Sequence, residues 1–432
     1  MKNEAVDLVR RALAGRMPIL VVRGVDAMAR PDGDIDILVP GGRATEAALA
    51  SADAARPAGW LLLGISDIDY LVSVVLVRAR DGSSDEAVKL DFWSGFTWYG
   101  AGTDEVARRF FELQTDGSRS ERQWAALATL LQKLVVVGRL SSRDRDRVHA
   151  GATDVELLAM AAVIGLRLTA ADLAPGGIGR WRKWRLRAAM SAARTPWQIV
   201  RWFMEATLAH LRFKSGFGTG SGELVALSGL DGVGKSSQFE RLLAAYRTAG
   251  WASPYPVHLL PRWIPMPHQL LRRRRTRLNY QRPYLEAPVK SHLGGGLRLA
   301  WYLCAFGLAK AWMRWSVSRG RVIVLDRSFV DFAADLTRAR IPDWRLPAPL
   351  LRACAPSGLL LYLDASAETV VHRKAELGVG KAEQLRRRYL TVIDPVGGTV
   401  VDAEGTQEAV FASLLERLDA SYRRRLEAKA RR

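Results

Sequence analysis

A glycine-rich stretch near the middle of the chain, SGLDGVGKSS at 228–237, constrains the fold more than any other feature. It has the pattern G-x-x-x-x-G-K-[ST], with an apolar run before it and a helical pattern after it. This arrangement is typical of a strand, a tight loop and a helix whose first N–H groups bind phosphate, known as a P-loop. We predict that Lys235 reaches the β- and γ-phosphates of a nucleotide and that the Ser236 hydroxyl binds Mg²⁺. The residues predicted to contact the nucleotide are Gly229, Asp231, Gly232, Gly234, Lys235, Ser236 and Ser237.

The sequence from residue 223 onward alternates between strand and helix patterns. Apolar runs at 255–260, 322–325 and 359–363 predict strands, and the segments between them predict helices. Strands that alternate with helices favour a parallel sheet with helices on both faces. The predicted fold class is therefore α/β, with a P-loop NTPase sheet here and a smaller mixed α/β domain ahead of it.

Charged residues follow two of these strands, at the sheet edge where open parallel α/β sheets bind ligands. Asp326 and Arg327 end the apolar run in VIVLDRSF. We predict that Asp326 orients an acceptor or a metal-bound water and that Arg327 neutralises the transferring group. Arg373 follows the strand in LLLYLD and, with Lys374 and 386–388, is predicted to close over the phosphates as a lid. The alternative for each is a solvated surface residue.

Three stretches resemble the signatures of the thymidylate kinase family, in the order found in that family. They are LSGLDGVGKSSQ, VIVLDRSF and LYLDASAETVVHRKAE, within about 223–425. The resemblance implies a P-loop kinase fold, ATP as phosphate donor and Mg²⁺ as cofactor. It also implies that Arg327 helps to hold an acceptor phosphate and that Arg373 begins the lid.

Two departures put the acceptor in doubt. Where the family has a T-R-E-P-G-G-T-like stretch that grips the nucleotide, this chain has VHLLPRWIPMP at 257–267, in which only Arg262 could take that role. Ser328 and Phe329 follow the Asp-Arg pair in place of the usual tyrosine or histidine. The chain more closely resembles thymidylate kinase-like proteins that are fused to a nucleotidyltransferase-like domain and found with bacterial surface-polysaccharide enzymes.

Carboxylates near the amino terminus form a second constellation. In DIDILV, Asp34 and Asp36 lie two residues apart on a predicted strand and therefore face the same way, and Asp91 lies on a later strand. Three carboxylates on adjacent strands could hold divalent metal ions for nucleotidyl transfer, with Gly24 allowing close approach of a triphosphate. The pattern resembles the minimal nucleotidyltransferase superfamily, but Val25 replaces the expected serine. An active site, a degenerate fold of this type and solvated aspartates at a strand edge all stay open.

Basic residues are concentrated in three segments. The formal net charge is +20, and segments 176–214 and 262–298 each contain nine basic residues and one acidic residue, while 421–432 contains six and one. The first segment interleaves arginines with Trp181, Trp184, Trp197, Trp202 and Phe203, which suits interdomain packing, an anionic membrane surface or a nucleic-acid backbone. The run LLRRRRTRL at 270–278 could bind a polyanionic acceptor or form a solvated helix. Anionic partners are expected, with nucleic acid the least favoured.

Three segments are predicted: a nucleotidyltransferase-like domain at 1–150, a basic helical connector with a Gly/Ser linker at 151–222, and a P-loop domain at 223–432. Two cysteines and the lack of a visible signal peptide indicate the cytoplasm, with peripheral contact at the inner face of the membrane a further expectation. The apolar stretch 301–312 carries Lys310 and is predicted to be a buried helix.

The predicted function is ATP-dependent phosphotransfer to a nucleotide, sugar or lipid-linked acceptor in surface-polysaccharide assembly. Three alternatives stay open. They are a true dTMP or nucleoside monophosphate kinase, a nucleic-acid end-processing kinase and nucleotidyltransferase, and a non-catalytic ATP-binding scaffold at the membrane.

Overall fold

A computed structural model describes residues 2–23, 34–68, 71–79, 85–96, 104–114, 117, 119–190, 195–215, 222–248, 254–265, 292–375 and 377–431. The chain forms two compact units. The first comprises Met1–Ser221, Thr248–Trp251 and Asp419–Arg432, and the second comprises Gly222–Arg247 and Ala252–Leu418.

The sheet of the second unit is entirely parallel. Its strands are β8 (Glu223–Gly229), β9 (Tyr255–His258), β10 (Val322–Asp326), β11 (Leu359–Asp364) and β12 (Thr399–Asp402), in the order β12-β11-β8-β10-β9. Every residue of β8 and β10 is buried, as expected for a parallel sheet covered on both faces. This arrangement confirms the α/β prediction for this part of the chain, although β12 was not predicted.

Helices flank this parallel sheet, and the P-loop helix follows its central strand. They are α10 (Lys235–Thr248), α11 (His292–Ser318), α12 (Phe329–Ala334), α13 (Ala348–Cys354), α14 (Ala367–Arg373), α15 (Val379–Ile393) and α16 (Gln407–Ala430), of which α16 belongs to this unit only as far as Leu418. The apolar stretch predicted as a buried helix lies within α11, but only one side of it is buried. Ala305, Phe306 and Ala309 are buried while Leu308 is exposed.

The first unit contains a mixed sheet of five strands. They are β1 (Leu20–Arg23), β2 (Ile35–Leu38), β3 (Leu61–Ile68), β4 (Leu71–Arg78) and β5 (Glu86–Trp93), in the order β1-β2-β5-β4-β3. Only the β2–β5 pair is parallel. The predicted smaller mixed α/β domain is therefore confirmed as a fold class.

Helices make up most of the rest of the first unit. They are α1 (Lys2–Leu13), α2 (Ala44–Ala55), α3 (Asp104–Gln114), α4 (Glu121–Gln132), α5 (Ser142–His149), α6 (Asp154–Val163), α7 (Ala170–Leu173), α8 (Arg180–Met190) and α9 (Pro196–Ser215). A two-stranded pair, β6 (Arg139–Leu140) and β7 (Gly176–Gly177), lies among them. Helix α4 is followed directly by a π-helical turn, Lys133–Val137, which ends where Gly138 adopts a left-handed conformation.

The predicted segment boundaries at 150/151 and 222/223 stay predictions. Asp419–Arg432, which the sequence interpretation places in the third segment, groups with the first unit. Most of the Gly/Ser linker and the whole arginine run at 270–278 lie outside the described residues. Within the described part of the chain, no helix is both long enough and apolar enough to cross a bilayer.

Candidate active site

The glycine-rich loop joins the central strand of the parallel sheet to a helix. Strand β8 ends at Gly229 and helix α10 begins at Lys235. Gly229 has a φ of 151°, and a Cβ there would lie 2.7 Å from the carbonyl oxygen of Leu363, so a larger residue would collide with β11. The first turn of α10 points its N–H groups and the positive end of its dipole at the loop. This is a P-loop.

The lysine of the loop is buried inside it. Lys235 Nζ donates hydrogen bonds to the carbonyl oxygens of Gly229, at 2.5 Å, and Leu230, at 2.7 Å. Burial lowers the pKa of Lys235, and the negative charges of Asp231 and Asp331 oppose that effect. The ammonium group is thus held inside the loop, while Ser236 and Ser237 are exposed at the start of α10.

Asp231 is the counterion of several cations. Its Oδ1 lies 2.5 Å from Arg327 Nη2 and 3.5 Å from Lys235 Nζ, and its Oδ2 lies 2.7 Å from Arg338 Nη1. Burial alone would raise the pKa of Asp231, but the charges of Lys235, Arg327 and Arg338 outweigh it and lower the pKa. The two arginine side chains are 28% and 34% exposed, so an anion from solvent can reach them.

Asp326 lies at the carboxyl end of β10 and has one carboxylate oxygen unsatisfied. Its Oδ2 is 2.9 Å from His258 Nδ1, whereas the buried Oδ1 has no hydrogen-bond partner among the described residues. An orphaned carboxylate oxygen and the Ser236 hydroxyl are oxygen ligands of the kind that Mg²⁺ takes. These two residues therefore fit the predicted cofactor, although the described residues contain no cluster of three or more side chains suited to a metal ion.

A buried carboxylate connects the P-loop to two neighbouring elements. Asp331, in α12, accepts hydrogen bonds from the hydroxyl of Ser228 at 2.6 Å, the N–H of Gly229 at 3.3 Å and the N–H of Ser328 at 2.7 Å. The hydroxyl of Tyr389, in α15, donates a fourth bond at 3.1 Å. Asp331 thus fixes the end of β8, the turn after β10 and a helix of the predicted lid region relative to one another.

The predicted lid cations bind protein groups. Arg373 donates to the carbonyl oxygens of Ala403, Glu404 and Gly405 at 2.9–3.0 Å. Arg386 makes two hydrogen bonds to Asp364 at 2.8 Å, which raise its pKa. Whether these cations also neutralise phosphate stays a prediction.

No protein-family model matches the chain, and no curated protein matches it at a significant level. Among solved structures, it is similar to the thymidylate kinase from Candida albicans, at 18% sequence identity and a TM-score of 0.33. The aligned part covers 47% of this chain and 93% of that kinase. A similarity this weak says nothing about activity.

The amino-terminal carboxylates lie together on the mixed sheet of the first unit. Asp36 and Asp91 are paired across the parallel strands β2 and β5, and Lys89 Nζ lies 3.0 Å from both Asp34 Oδ2 and Asp91 Oδ2. Asp36 is bound by Arg23 and by the indole N–H of Trp93, which is at 2.9 Å. Gly24 and Val25 lie outside the described residues.

Positive charge beside these carboxylates comes from lysine and arginine. Burial raises the pKa of Asp91, while Lys89 opposes the burial effect at Asp34 and lowers the pKa of that carboxyl. The two carboxylates in turn raise the pKa of Lys89 despite its burial. In this arrangement Asp34, Asp36 and Asp91 do not fit a two-metal site. The Lys89 ammonium group already binds two of these carboxylates and would have to move before a metal ion could bind them.

Four residues of the site were not predicted from the sequence. The S-x-x-D pattern of Ser328 and Asp331 is a capping-box signal that could have identified Asp331. Arg338, His258 and Tyr389 have no local signal, because each reaches the site from a separate element.

Proposed function

We propose that the second unit transfers the γ-phosphate of ATP, bound with Mg²⁺, to an anionic acceptor. The observation that carries this proposal is the placement of Lys235 inside the loop beside Asp231 and its two arginines. Phosphoryl transfer depends mainly on positioning and on neutralising charge. This cluster supplies cations for the transferred phosphate of ATP and for the anionic acceptor.

The donor side is formed by the loop. Backbone N–H groups of 229–237 and the Lys235 ammonium bind the β- and γ-phosphates. Ser236 and Asp326 would hold Mg²⁺, which neutralises phosphate oxygens when bound. The acceptor oxygen forms a bond to the γ-phosphorus as the bond from that phosphorus to the β–γ bridging oxygen breaks. ADP leaves. An acceptor phosphate attacks as its dianion and has no proton to lose, whereas a hydroxyl acceptor would release its proton to water.

The acceptor side is formed by Arg327 and Arg338. Both guanidinium groups are partly exposed and share Asp231 as counterion, so an acceptor phosphate can add to the same cluster. Arg373 would neutralise phosphate charge if its guanidinium group released the carbonyl oxygens that it now binds and bound a phosphate group in their place.

We favour a sugar-phosphate or lipid-linked acceptor in surface-polysaccharide assembly over a nucleotide. The support is the absence of the T-R-E-P-G-G-T-like stretch after β9, together with Ser328 and Phe329 after the Asp-Arg pair. A nucleoside monophosphate is the second candidate because a loop aspartate and two arginines would also suit it.

For the first unit, a nucleotidyltransferase-like domain stays a hypothesis. The pairing of Asp34 and Asp91 with Lys89, and of Asp36 with Arg23, favours the degenerate form over an active one.

The test is ADP release with Mg²⁺ and ATP against a panel of dTMP, other nucleoside monophosphates, sugar phosphates and lipid-linked phosphates. Lys235→Ala should lower turnover at least about 100-fold, since a buried charged donor at the transferring group is lost. Arg247→Ala, at the exposed far end of α10, is the matched control and should leave turnover unchanged.

The panel also separates the alternatives. Turnover with dTMP that Lys235→Ala abolishes would replace the glycan acceptor with a nucleotide. Phosphorylation of an oligonucleotide end would favour the nucleic-acid enzyme. If the protein bound no ATP with Mg²⁺, the kinase proposal would be wrong.

A further inference from the structure

Helix α9 (Pro196–Ser215) carries an exposed apolar stripe. Five large apolar side chains, each at least 47% exposed, are spaced three or four residues apart and so lie on one face of the helix. They are Trp197, Val200, Met204, Leu208 and Leu211. A continuous apolar face of this length is uncommon on a soluble surface and marks a site of interaction.

The preceding helix, α8 (Arg180–Met190), adds cations and another tryptophan. Trp181 is 84% exposed and lies between the exposed Arg180 and Arg185. The two helices are in contact, because the ring centroids of Trp184 and Phe203 lie 5.5 Å apart. The segment 176–214, which contains α8 and all but the last residue of α9, has nine basic residues and one acidic residue. Exposed apolar side chains and the exposed cations Arg180 and Arg185 therefore occur together on these two contacting helices, here called the α8–α9 surface.

We propose that the α8–α9 surface docks on an anionic lipid bilayer, with α9 lying in the plane of the interface. Its apolar stripe would enter the boundary between headgroups and acyl chains, while the arginines contact lipid phosphates. Tryptophans at 181 and 197 suit this depth, since their amphipathic rings are enriched at membrane interfaces.

Other occupants satisfy only part of the surface. A nucleic-acid backbone would neutralise the arginines but leave five large apolar side chains in water. A second copy of the chain would cover the stripe but bring two strongly basic segments together, which like-charge repulsion opposes. An anionic bilayer provides both an apolar layer and negative charge.

Co-sedimentation with vesicles tests the apolar part of the proposal. The protein should sediment with vesicles of phosphatidylcholine containing phosphatidylserine and weakly or not at all with phosphatidylcholine alone. Trp197→Gln combined with Leu208→Gln should lower partitioning at least about tenfold. Even half of the transfer free energy of the two side chains exceeds the free energy that corresponds to a tenfold change in partitioning. Val155→Gln, which changes an exposed apolar residue on α6, is the matched control and should bind as wild type.

The charged part is tested by Arg180→Gln combined with Arg185→Gln. Partitioning should fall about 30-fold at low salt, because each basic residue near an anionic surface contributes about 1 kcal/mol. Arg247→Gln combined with Arg417→Gln removes two exposed cations elsewhere and should leave binding unchanged. As a control for folding, each variant should unfold thermally at the same midpoint temperature as the wild-type protein.

Several results would overturn the proposal. One is no sedimentation with anionic vesicles at low salt, and another is an equal loss in the control variants. If light scattering showed a wild-type dimer that Trp197→Gln and Leu208→Gln convert to a monomer, a second copy would be the occupant. If those two substitutions abolished binding to an oligonucleotide but left vesicle binding intact, the occupant would be nucleic acid. None of these outcomes depends on whether the second unit transfers phosphate.

Discussion

Asp231 is the residue whose charge decides the electrostatics of the P-loop. It is 12% exposed and faces Lys235, Arg327 and Arg338. Asp231→Asn keeps the shape of the side chain but leaves three neighbouring cations without their shared counterion. We expect a loss of about 1–3 kcal/mol in the free energy of unfolding at pH 7, moderated because the arginines are partly solvated. Urea unfolding measures it, and wild-type stability in the variant would contradict the counterion role.

The same residue predicts a pH dependence at acid pH. The pKa of Asp231 is lower in the folded protein than its value of about 3.9 in an unfolded chain. As the pH falls through about 4, the unfolded chain takes up the proton before the folded protein does, so stability falls. The contribution is complete above that pH. Urea unfolding between pH 5 and the acid limit of folding should show a shallower pH dependence for Asp231→Asn, and an unchanged slope would mean that other carboxyl groups cause it.

At the scale of secondary-structure elements, local sequence signals predicted the central strands of the second unit. Apolar runs at 322–325 and 359–363 correspond to β10 and β11. A strand that is buried on both faces is a continuous apolar run, so the ends of the run indicate the ends of the strand. The short edge strand β12 was missed, since only one of its four residues is buried.

The parts of the site that could not be predicted come from tertiary contacts. Gly229 to Ser237 form one local motif, and their placement follows from its spacing. Arg338 approaches Asp231 from 107 residues away, and Tyr389 approaches Asp331 from 58 residues away. No local periodicity encodes which of the chain's many arginines becomes the counterion of a given aspartate. The roles of these residues become visible only when the elements are packed.

The Asp331 network leads to a prediction about how elements are held together. Asp331→Asn keeps the size of the side chain, but its amide nitrogen cannot accept the hydrogen bonds that one carboxylate oxygen accepts. We expect the variant to lose about 1–3 kcal/mol of stability and to bind ATP with Mg²⁺ more weakly, because the Gly229 N–H helps to fix the start of the P-loop. Calorimetric titration with ATP and urea unfolding measure the two effects.

Tyr389→Phe is the matched control for that substitution. It removes one donor and leaves Asp331 with the other three, so the expected cost is about 1 kcal/mol, with ATP affinity close to wild type. An equal loss of ATP affinity in both variants would show that the position of α15, rather than the P-loop contact, controls binding.

At the scale of the whole molecule, each unit has its own sheet and core, so we expect two unfolding transitions. ATP with Mg²⁺ at 100 times its Kd should stabilise the transition of the second unit by about 2.7 kcal/mol. Asp419→Ala should affect the first unit instead. Its buried carboxylate accepts hydrogen bonds from the N–H of Leu62 at 2.9 Å and from Arg423 Nε at 2.7 Å. Truncation removes the acceptor of the buried Leu62 N–H and of Arg423 Nε, while Arg423 keeps its contacts with Asp53 and the carbonyl oxygen of Ala52. The expected cost is about 1–3 kcal/mol, that of leaving buried donors unsatisfied.

Differential scanning calorimetry with and without nucleotide separates these effects. Glu416→Ala, an exposed position one turn earlier on α16, is the matched control and should leave both transitions unchanged. A single transition that both the nucleotide and Asp419→Ala shift would contradict independent units. In that case the chain would unfold as one cooperative body, and ATP binding would stabilise the amino-terminal carboxylate cluster as well as the P-loop.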